Sequence, residues 1–354
     1  MNLKLNMQKL LQIYTRIKKG DRAMNKIAIL VNEENREKVF SDKYYERMRK
    51  TGQVCIYDQK DFADEAYYLD FVKDSDVIIT SWGSPQIDAK VLDRCPELKA
   101  VIHAAGSIKP IISDEFIKRS IRITNSAAAI GEGVAETALG FAISACKGFY
   151  QLNNDTKNKL WDENIRTTVK DFYDIKVGVI SGGFVGRHMV KLLKNFHVDI
   201  LMYDPVLSAE EIASIGAEKA ELDDMMRKCD VVTIHAPSIP ATDNMIHKGN
   251  LSLMKDGAVL INTSRGTVIN EADLIAELKK GRIFACIDVT NPEPPEADNE
   301  LRFLDNVILT PHIAGTVSNG MKRIALHVCQ ELERLEKGEK MRTEVDLGNI
   351  SKLA

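Results

Sequence analysis

From Met24 onward the chain repeats one pattern, a short run rich in Val and Ile followed by a longer amphipathic stretch. The first series of runs is KIAILVN (26–32), VCIYD (54–58), VIITSW (77–82) and AVIHAAG (100–106). The second is KVGVIS (176–181), DILMYD (199–204), VVTIHA (231–236), AVLINT (258–263), FACIDV (284–289) and NVILTPH (306–312). A strand with one wet face alternates apolar and polar residues, whereas a continuous apolar run belongs to a strand covered on both faces. Strands alternating with helical stretches make βαβ units and hence parallel sheets. Two series predict two doubly wound α/β domains joined by long hinge helices. One such helix is expected over 131–154, where Val134, Ala138, Phe141, Ala142 and Ala145 share a face. Another is expected over 313–335, with Ile324, Val328, Leu332 and Leu335 on one stripe. It would return to the first domain, making that domain discontinuous: 24–124 with 316–354, around a second domain of 125–315.

Composition agrees with this plan. A chain of 354 residues has room for about two domains. Lys and Arg number 48 against 51 Asp and Glu, a net charge of −3, so nucleic acid and anionic membrane are not expected partners. No apolar run approaches the roughly 18 residues of a membrane span. The six cysteines, at 55, 95, 146, 229, 286 and 329, include no C-x-x-C pair. That predicts scattered thiols in a reducing, cytoplasmic setting, with neither a disulfide framework nor a metal site. Residues 1–23 carry six basic residues and one acid, without the apolar core of a secretory signal. They read as an N-terminal extension, either an extra helix or a start placed upstream of Met24.

The segment VGVISGGFVGRHMVKLL (177–193) reads as strand, tight loop and helix, with Gly182, Gly183 and Gly186 in the loop. It resembles the G-x-G-x-x-G fingerprint of Rossmann-like domains, whose glycines let the backbone approach a pyrophosphate at a helix start. Ser181 stands where the first glycine would be. A Cβ tolerates left-handed angles poorly, so an altered turn is expected. The next strand ends in Asp204, 18 residues beyond Gly186. An acid there can accept both hydroxyls of an adenosine ribose. It would also repel a 2′-phosphate, since unit charges about 4 Å apart near a surface interact by ~4 kcal/mol. NAD is therefore expected in preference to NADP. The alternative is that Asp204 only opens a turn before Pro205.

Three polar residues follow the last three strands: Arg265 after AVLINT, Glu293 after FACIDV and His312 after NVILTP. Parallel sheets collect ligands at the carboxyl edge of their strands, the edge that also carries the glycine loop. Arg offers a planar fork of donors to a carboxylate or a polarised carbonyl. His exchanges a proton near neutral pH, and a Glu beside it holds one tautomer. With a nicotinamide, this trio suggests carbonyl reduction or the reverse oxidation.

The pieces VGVISGGFVGR, MYDP, VVTIHAPSIPATDNMI, INTSRGTVINEADL, IDVTNPEPP and LTPHIAGT stand in the order of the D-isomer-specific 2-hydroxyacid dehydrogenase family, which the chain resembles from about 26 to about 338. The resemblance implies that Arg265 binds and polarises a 2-oxo acid, that His312 donates and accepts the proton, and that Glu293 is its partner. It implies cofactor contacts at Gly183, Phe184, Val185, Gly186, Asp204, Ala236, Pro237, Thr242, Thr263, Ser264, Asp288, His312 and Gly315. His235 falls at a cofactor wall, while His103, His188, His197, His247 and His327 read as packing or surface residues. The family's dimers imply a homodimer, consistent with the small residues Ala135, Ala138, Gly140, Ala142 and Ala145 on the connecting helix.

The first domain departs from the family pattern. Its substrate-carboxylate loop is AAGSIKP (104–110), lacking the usual Asp-Asn, and Ala105, Gly106 and Ser107 are the candidate backbone contacts. Trp82 either walls the substrate pocket or is a plain core residue. A C-terminal regulatory domain of the serine-pathway kind is not expected. A nucleotide-sensing co-repressor on the same fold, or a dehydrogenase of formate or phosphite, are the alternatives. The first would bind peptides without turnover.

Overall fold

The computed structural model describes residues 24–161, 165 and 169–348, so the expected 1–23 extension lies outside the described residues. Of these residues, those up to Ile130 together with those from Ser318 form one compact unit, and Gly131–Val317 forms the other.

In the first unit β1 (Met24–Ile29), β2 (Gly52–Ile56), β3 (Val77–Thr80), β4 (Ala100–His103) and β5 (Arg122–Asn125) make a parallel sheet in the order β2-β1-β3-β4-β5. Successive side chains leave opposite faces of a strand. Ile27, Ile29, Val77, Ile79 and Ile102 thus pack with Val39, Tyr44, Met48, Ile324, Val328 and Leu332 on one side. Ala28, Ile78 and Val101, on the other, are also fully buried. The continuous apolar runs are therefore strands covered twice. The returning helix is Met321–Glu336, which starts later than the stripe predicts because 313–317 belongs to a loop of the site.

In the second unit β6 (Ile175–Ile180), β7 (Val198–Tyr203), β8 (Glu218–Lys219), β9 (Val231–Ile234), β10 (Val259–Asn262), β11 (Phe284–Ile287) and β12 (Val307–Leu309) form a parallel sheet in the order β12-β11-β10-β9-β6-β7-β8. One face buries Ile180, Val232, Ile234, Leu260, Ala285 and Ile287. The other buries Val177, Val179, Val231, Val259, Ile261 and Cys286.

Three expectations change. The edge strands β5 and β8 lack a Val/Ile run, since an edge or two-residue strand needs little cover. The connecting helix is Ala127–Cys146 and stops there, because Gly148 takes a left-handed φ of +63° before a separate Phe149–Lys157 helix. That first helix is also long and apolar enough, by length and composition, to cross a membrane, contrary to the reading of the runs alone. In the structure its Ala135, Ala138, Phe141 and Ala142 face pack in the core beside β6.

Candidate functional site

The strand order of the second unit reverses between β6 and β9, with β7 and β8 to one side and β10 to β12 to the other. Loops leaving the carboxyl ends diverge at such a point and leave a crevice.

The glycine loop stands at that point. Its turn is kept rather than altered: Ser181 takes the left-handed angle itself, at φ +80°. The Ser181 N–H donates to Tyr203 O at 2.8 Å, and its carbonyl lies 1.9 Å from where a Cβ at Gly186 would stand. Only glycine at 186 lets loop and helix approach this closely. A Cβ at Gly182 would fall 2.4 Å from Leu207 Cδ1, so Leu207 fills the space beside that residue. The helix Phe184–Leu193 follows, with Gly183 at its start offering no side-chain cap. Among the described residues the amides of Gly183, Phe184 and Val185 find no acceptor, so the helix start presents three backbone donors at the crevice.

Asp204 closes the far side of the loop. It is 8% exposed; Oδ2 accepts from Gly182 N–H at 2.8 Å and Oδ1 from Val206 and Leu207 N–H at 2.8 and 3.1 Å. The turn role is thus filled. Of about four acceptor positions on a carboxylate, one is left for a ribose hydroxyl.

The register pairing Ile234 with Asn262 sets His235 beside Thr263 just past the ends of β9 and β10. His235 bonds Thr233 Oγ1 through Nε2 at 3.1 Å, and burial pushes its pKa down to about 3, so the ring is neutral. Its Nδ1 and the Thr263 Oγ1 are buried without a partner among the described residues. Such groups cost about 1–3 kcal/mol each unless a ligand meets them, and the pair fits a polar cofactor in this crevice. Ala236 is buried next to His235, and Thr242 Oγ1 is held by Pro237 O at 2.5 Å.

Arg265, Glu293 and His312 leave the carboxyl ends of neighbouring strands β10, β11 and β12. Asn262, buried at the end of β10, accepts from Ser264 N–H and Oγ–H at 3.0 and 2.8 Å and donates to Arg265 O at 3.0 Å. It fixes the Arg265 backbone while the side chain stays exposed. Ser264 thus commits its hydroxyl to Asn262. A Cβ at Gly266 would stand 2.1 Å from the Thr290 carbonyl carbon, so the Arg265 loop lies directly on the loop leading to Glu293. His312 Nδ1 and Glu293 Oε1 are 2.5 Å apart, both side chains half-exposed. A carboxylate only accepts, so Nδ1–H donates and Nε2 is left for a ligand.

Asp288, an expected nicotinamide contact, is engaged with the loop that carries His312. It is 1% exposed, and its carboxylate accepts from Thr310 Oγ1 at 2.5 Å, Ile313 N–H at 2.9 Å and Ala314 N–H at 2.8 Å. Its carbonyl accepts from His312 N–H at 2.9 Å. One side chain therefore grips both flanks of His312, which is itself left-handed at φ +51°. Gly315 follows directly on this clamp.

In the first unit the loop after β4 turns its carbonyls inward. His103 O accepts from Ser126 Oγ, Ala104 O from Ser81 Oγ and Ala105 O from Ser126 N–H, at 3.0, 3.1 and 2.9 Å. The Ala105 and Gly106 amides find no acceptor among the described residues. His103, assigned to packing by its lack of a motif, bonds Thr80 Oγ1 at 2.9 Å and the Ser107 backbone, and burial lowers its pKa to about 4. Trp82 is 40% exposed, which removes the core alternative, and its carbonyl is held by Asn35 Nδ2 at 2.9 Å.

Residues 139–314 match the family model described as "D-isomer specific 2-hydroxyacid dehydrogenase, NAD binding domain", so the second unit is an NAD-binding domain. The chain is 30% identical over 275 residues to a glyoxylate reductase of Korarchaeum cryptofilum, covering 77% of this chain and 82% of that protein. It is 31% identical over 284 residues to a D-3-phosphoglycerate dehydrogenase of Methanocaldococcus jannaschii, covering 80% of this chain. It spans only 54% of that protein's length, and 58% of a similar one from Archaeoglobus fulgidus. The fold superposes on a phosphoglycerate oxidoreductase from Rhizobium etli with a TM-score of 0.79 at 22% identity, over 92% of this chain and 99% of that one.

Proposed function

The chain belongs to the D-isomer specific 2-hydroxyacid dehydrogenase family, and from that premise we propose that it interconverts a 2-oxo acid and the corresponding 2-hydroxy acid. The observation that carries this reading is the 2.5 Å pairing of His312 with Glu293 on the sheet edge that also holds Arg265 and the glycine loop. In reduction, His312 gives its Nε2 proton to the carbonyl oxygen as that oxygen becomes a hydroxyl. In oxidation it takes the proton back. Glu293 fixes the ring through Nδ1 and stabilises the imidazolium. Arg265 binds the acid and offsets negative charge developing on the oxygen. NAD, when bound, accepts or supplies the hydride. The amides of Gly183, Phe184 and Val185, the close approach at Gly186, the remaining acceptor of Asp204, and His235 and Thr263 would hold it. In the first unit, the free amides of Ala105 and Gly106, with Ser107 beside them, form a carboxylate site, and Trp82 offers an apolar wall.

The partner is thus a small organic acid. We further propose a homodimer. Phe149, Tyr150, Leu160, Trp161 and Tyr173, all exposed, follow the small-residue helix in sequence, and a two-fold contact there would cover them.

The test is NADH oxidation by the purified protein against 2-oxo acids, from glyoxylate, pyruvate and hydroxypyruvate to branched-chain and aromatic acids. We expect turnover on at least one acid, reduced by at least about a hundredfold in His312→Ala with NADH affinity kept. Tight NADH binding with no turnover on any acid would overturn the reading in favour of a nucleotide-sensing protein.

A further inference from the structure

The loop after β4 does not owe its shape to its glycine. Gly106 has no left-handed φ, and a Cβ there would meet only Ile130 Cδ1, at an ordinary 3.7 Å. Hydrogen bonds must therefore set which way its amides face. On the near side Ala104 N–H donates to Thr80 O at 2.7 Å, and Ser81 and Ser126 hold the carbonyls of 103 to 105. On the far side Ile108 O accepts from the amides of Ile111 and Ile112 at 2.9 and 3.1 Å. His103 ties the stretch between these anchors. The register of β3 and β4 sets it opposite Thr80, and it is 2% exposed. Burial keeps the ring neutral, so one ring nitrogen donates and the other accepts. The bond to the Ser107 backbone favours the charged ring, as an N–H donating to a carbonyl does. Nδ1 therefore accepts from the Thr80 hydroxyl at 2.9 Å, and Nε2–H donates to Ser107. The ring closes 103–107 on itself, and the Ala105 and Gly106 amides, without an acceptor among the described residues, lie inside that closed segment.

We propose that His103 is a positioning residue for substrate: through Ser107 it fixes the Ala105 and Gly106 amides in the orientation that meets the carboxylate of the 2-oxo acid. This rests on the reading of that loop as the carboxylate site. The histidine acts on the acid only through the loop, so its loss belongs to acid binding and not to cofactor binding. A Gln amide can set an N–H where Nε2 stands, whereas an Asn amide reaches only the position of Nδ1. The two variants therefore separate the tie to Ser107 from the bond to Thr80.

The experiment takes the acid of the panel above with the highest kcat/KM, and oxamate as a non-reacting carboxylate. It compares the wild type with His103→Asn, His103→Gln and Thr80→Val, and measures the dissociation constant of NADH for each. His103→Asn should raise KM and the oxamate inhibition constant about tenfold, with kcat within about threefold and NADH affinity within about twofold of wild type. His103→Gln should restore most of the affinity for the acid. Thr80→Val keeps the bulk and removes the hydroxyl that orients the ring. It should raise KM in the same direction, and it decides the matter if His103→Asn does not fold. A KM within about twofold of wild type in both His103→Asn and Thr80→Val, or in Thr80→Val alone if the other is unfolded, would overturn the proposal. Equal losses in His103→Asn and His103→Gln would overturn it too, making the histidine a packing residue. So would a loss of NADH affinity matching the rise in KM. A wild type that neither turns over any acid nor binds oxamate with NADH present would overturn the carboxylate reading itself, and the proposal with it.

Discussion

A buried carboxylate that accepts three hydrogens organises more than its own turn, and Asp204 does this for the cofactor loop. It ties the end of β7 to Gly182 while keeping one acceptor position. Asp204→Ala should weaken both nucleotides by loosening the loop and also narrow the preference for NAD over NADP. The ratio of kcat/KM values for the two cofactors checks this, and an unchanged ratio would leave Asp204 with its turn role alone. The buried imidazoles act on stability. Burial holds His103 at about 4 and His235 at about 3, against an ordinary 6.5. Between these values the unfolded chain binds protons that the folded chain refuses, so stability falls as pH drops from about 6.5 toward 4. Glu333 and Glu344, held low by Arg47 and Arg122, add their own loss only below the ordinary carboxylate value of 4.5. Melting temperature followed from pH 7.5 to 5 should therefore decline, and His103→Gln should flatten the slope. An unchanged slope would assign the decline to other groups.

At the scale of the element, chemistry sits on loops whose backbone is fixed from beneath. Asn262 sets the Arg265 backbone, and Asp288 grips 310, 313 and 314 around His312. Asp288→Asn keeps the shape but replaces one acceptor with a donor facing N–H or O–H groups. It should reduce kcat by about ten- to a hundredfold, since small misplacements of a catalytic group are costly. The dissociation constant of NADH should stay within about twofold. A loss of NADH affinity matching the loss of kcat would instead place Asp288 in cofactor binding. The helix break at Gly148 teaches a related point. One glycine lowers helix propensity by only about 1 kcal/mol, so apolar periodicity runs straight through it, while a tertiary turn can use its left-handed angle.

For the whole molecule, the exposed aromatic residues after Cys146 bear on assembly. Trp161 is 78% exposed, and Phe149, Tyr150 and Tyr173 are exposed as well. A two-fold interface would bury them. Light scattering should give about twice the chain mass of 39.6 kDa, and a Phe149→Glu, Trp161→Glu double variant should halve it. A wild type that scatters as a single chain would refute the dimer.

The sequence by itself determined the parallel α/β architecture, because strands buried on both faces must be written as unbroken apolar runs such as VVTI and VLIN. It also determined that Arg265, Glu293 and His312 follow strand ends, since strand and loop are both local in the chain. Tertiary structure alone decided that β10, β11 and β12 are neighbours, which brings His312 to Glu293, and that Asp288 holds the histidine loop. It decided that Ser181 keeps a glycine's angle and that His103 is buried against Thr80. Those outcomes depend on which distant segments pack together, and periodicity within a segment carries no record of its neighbours.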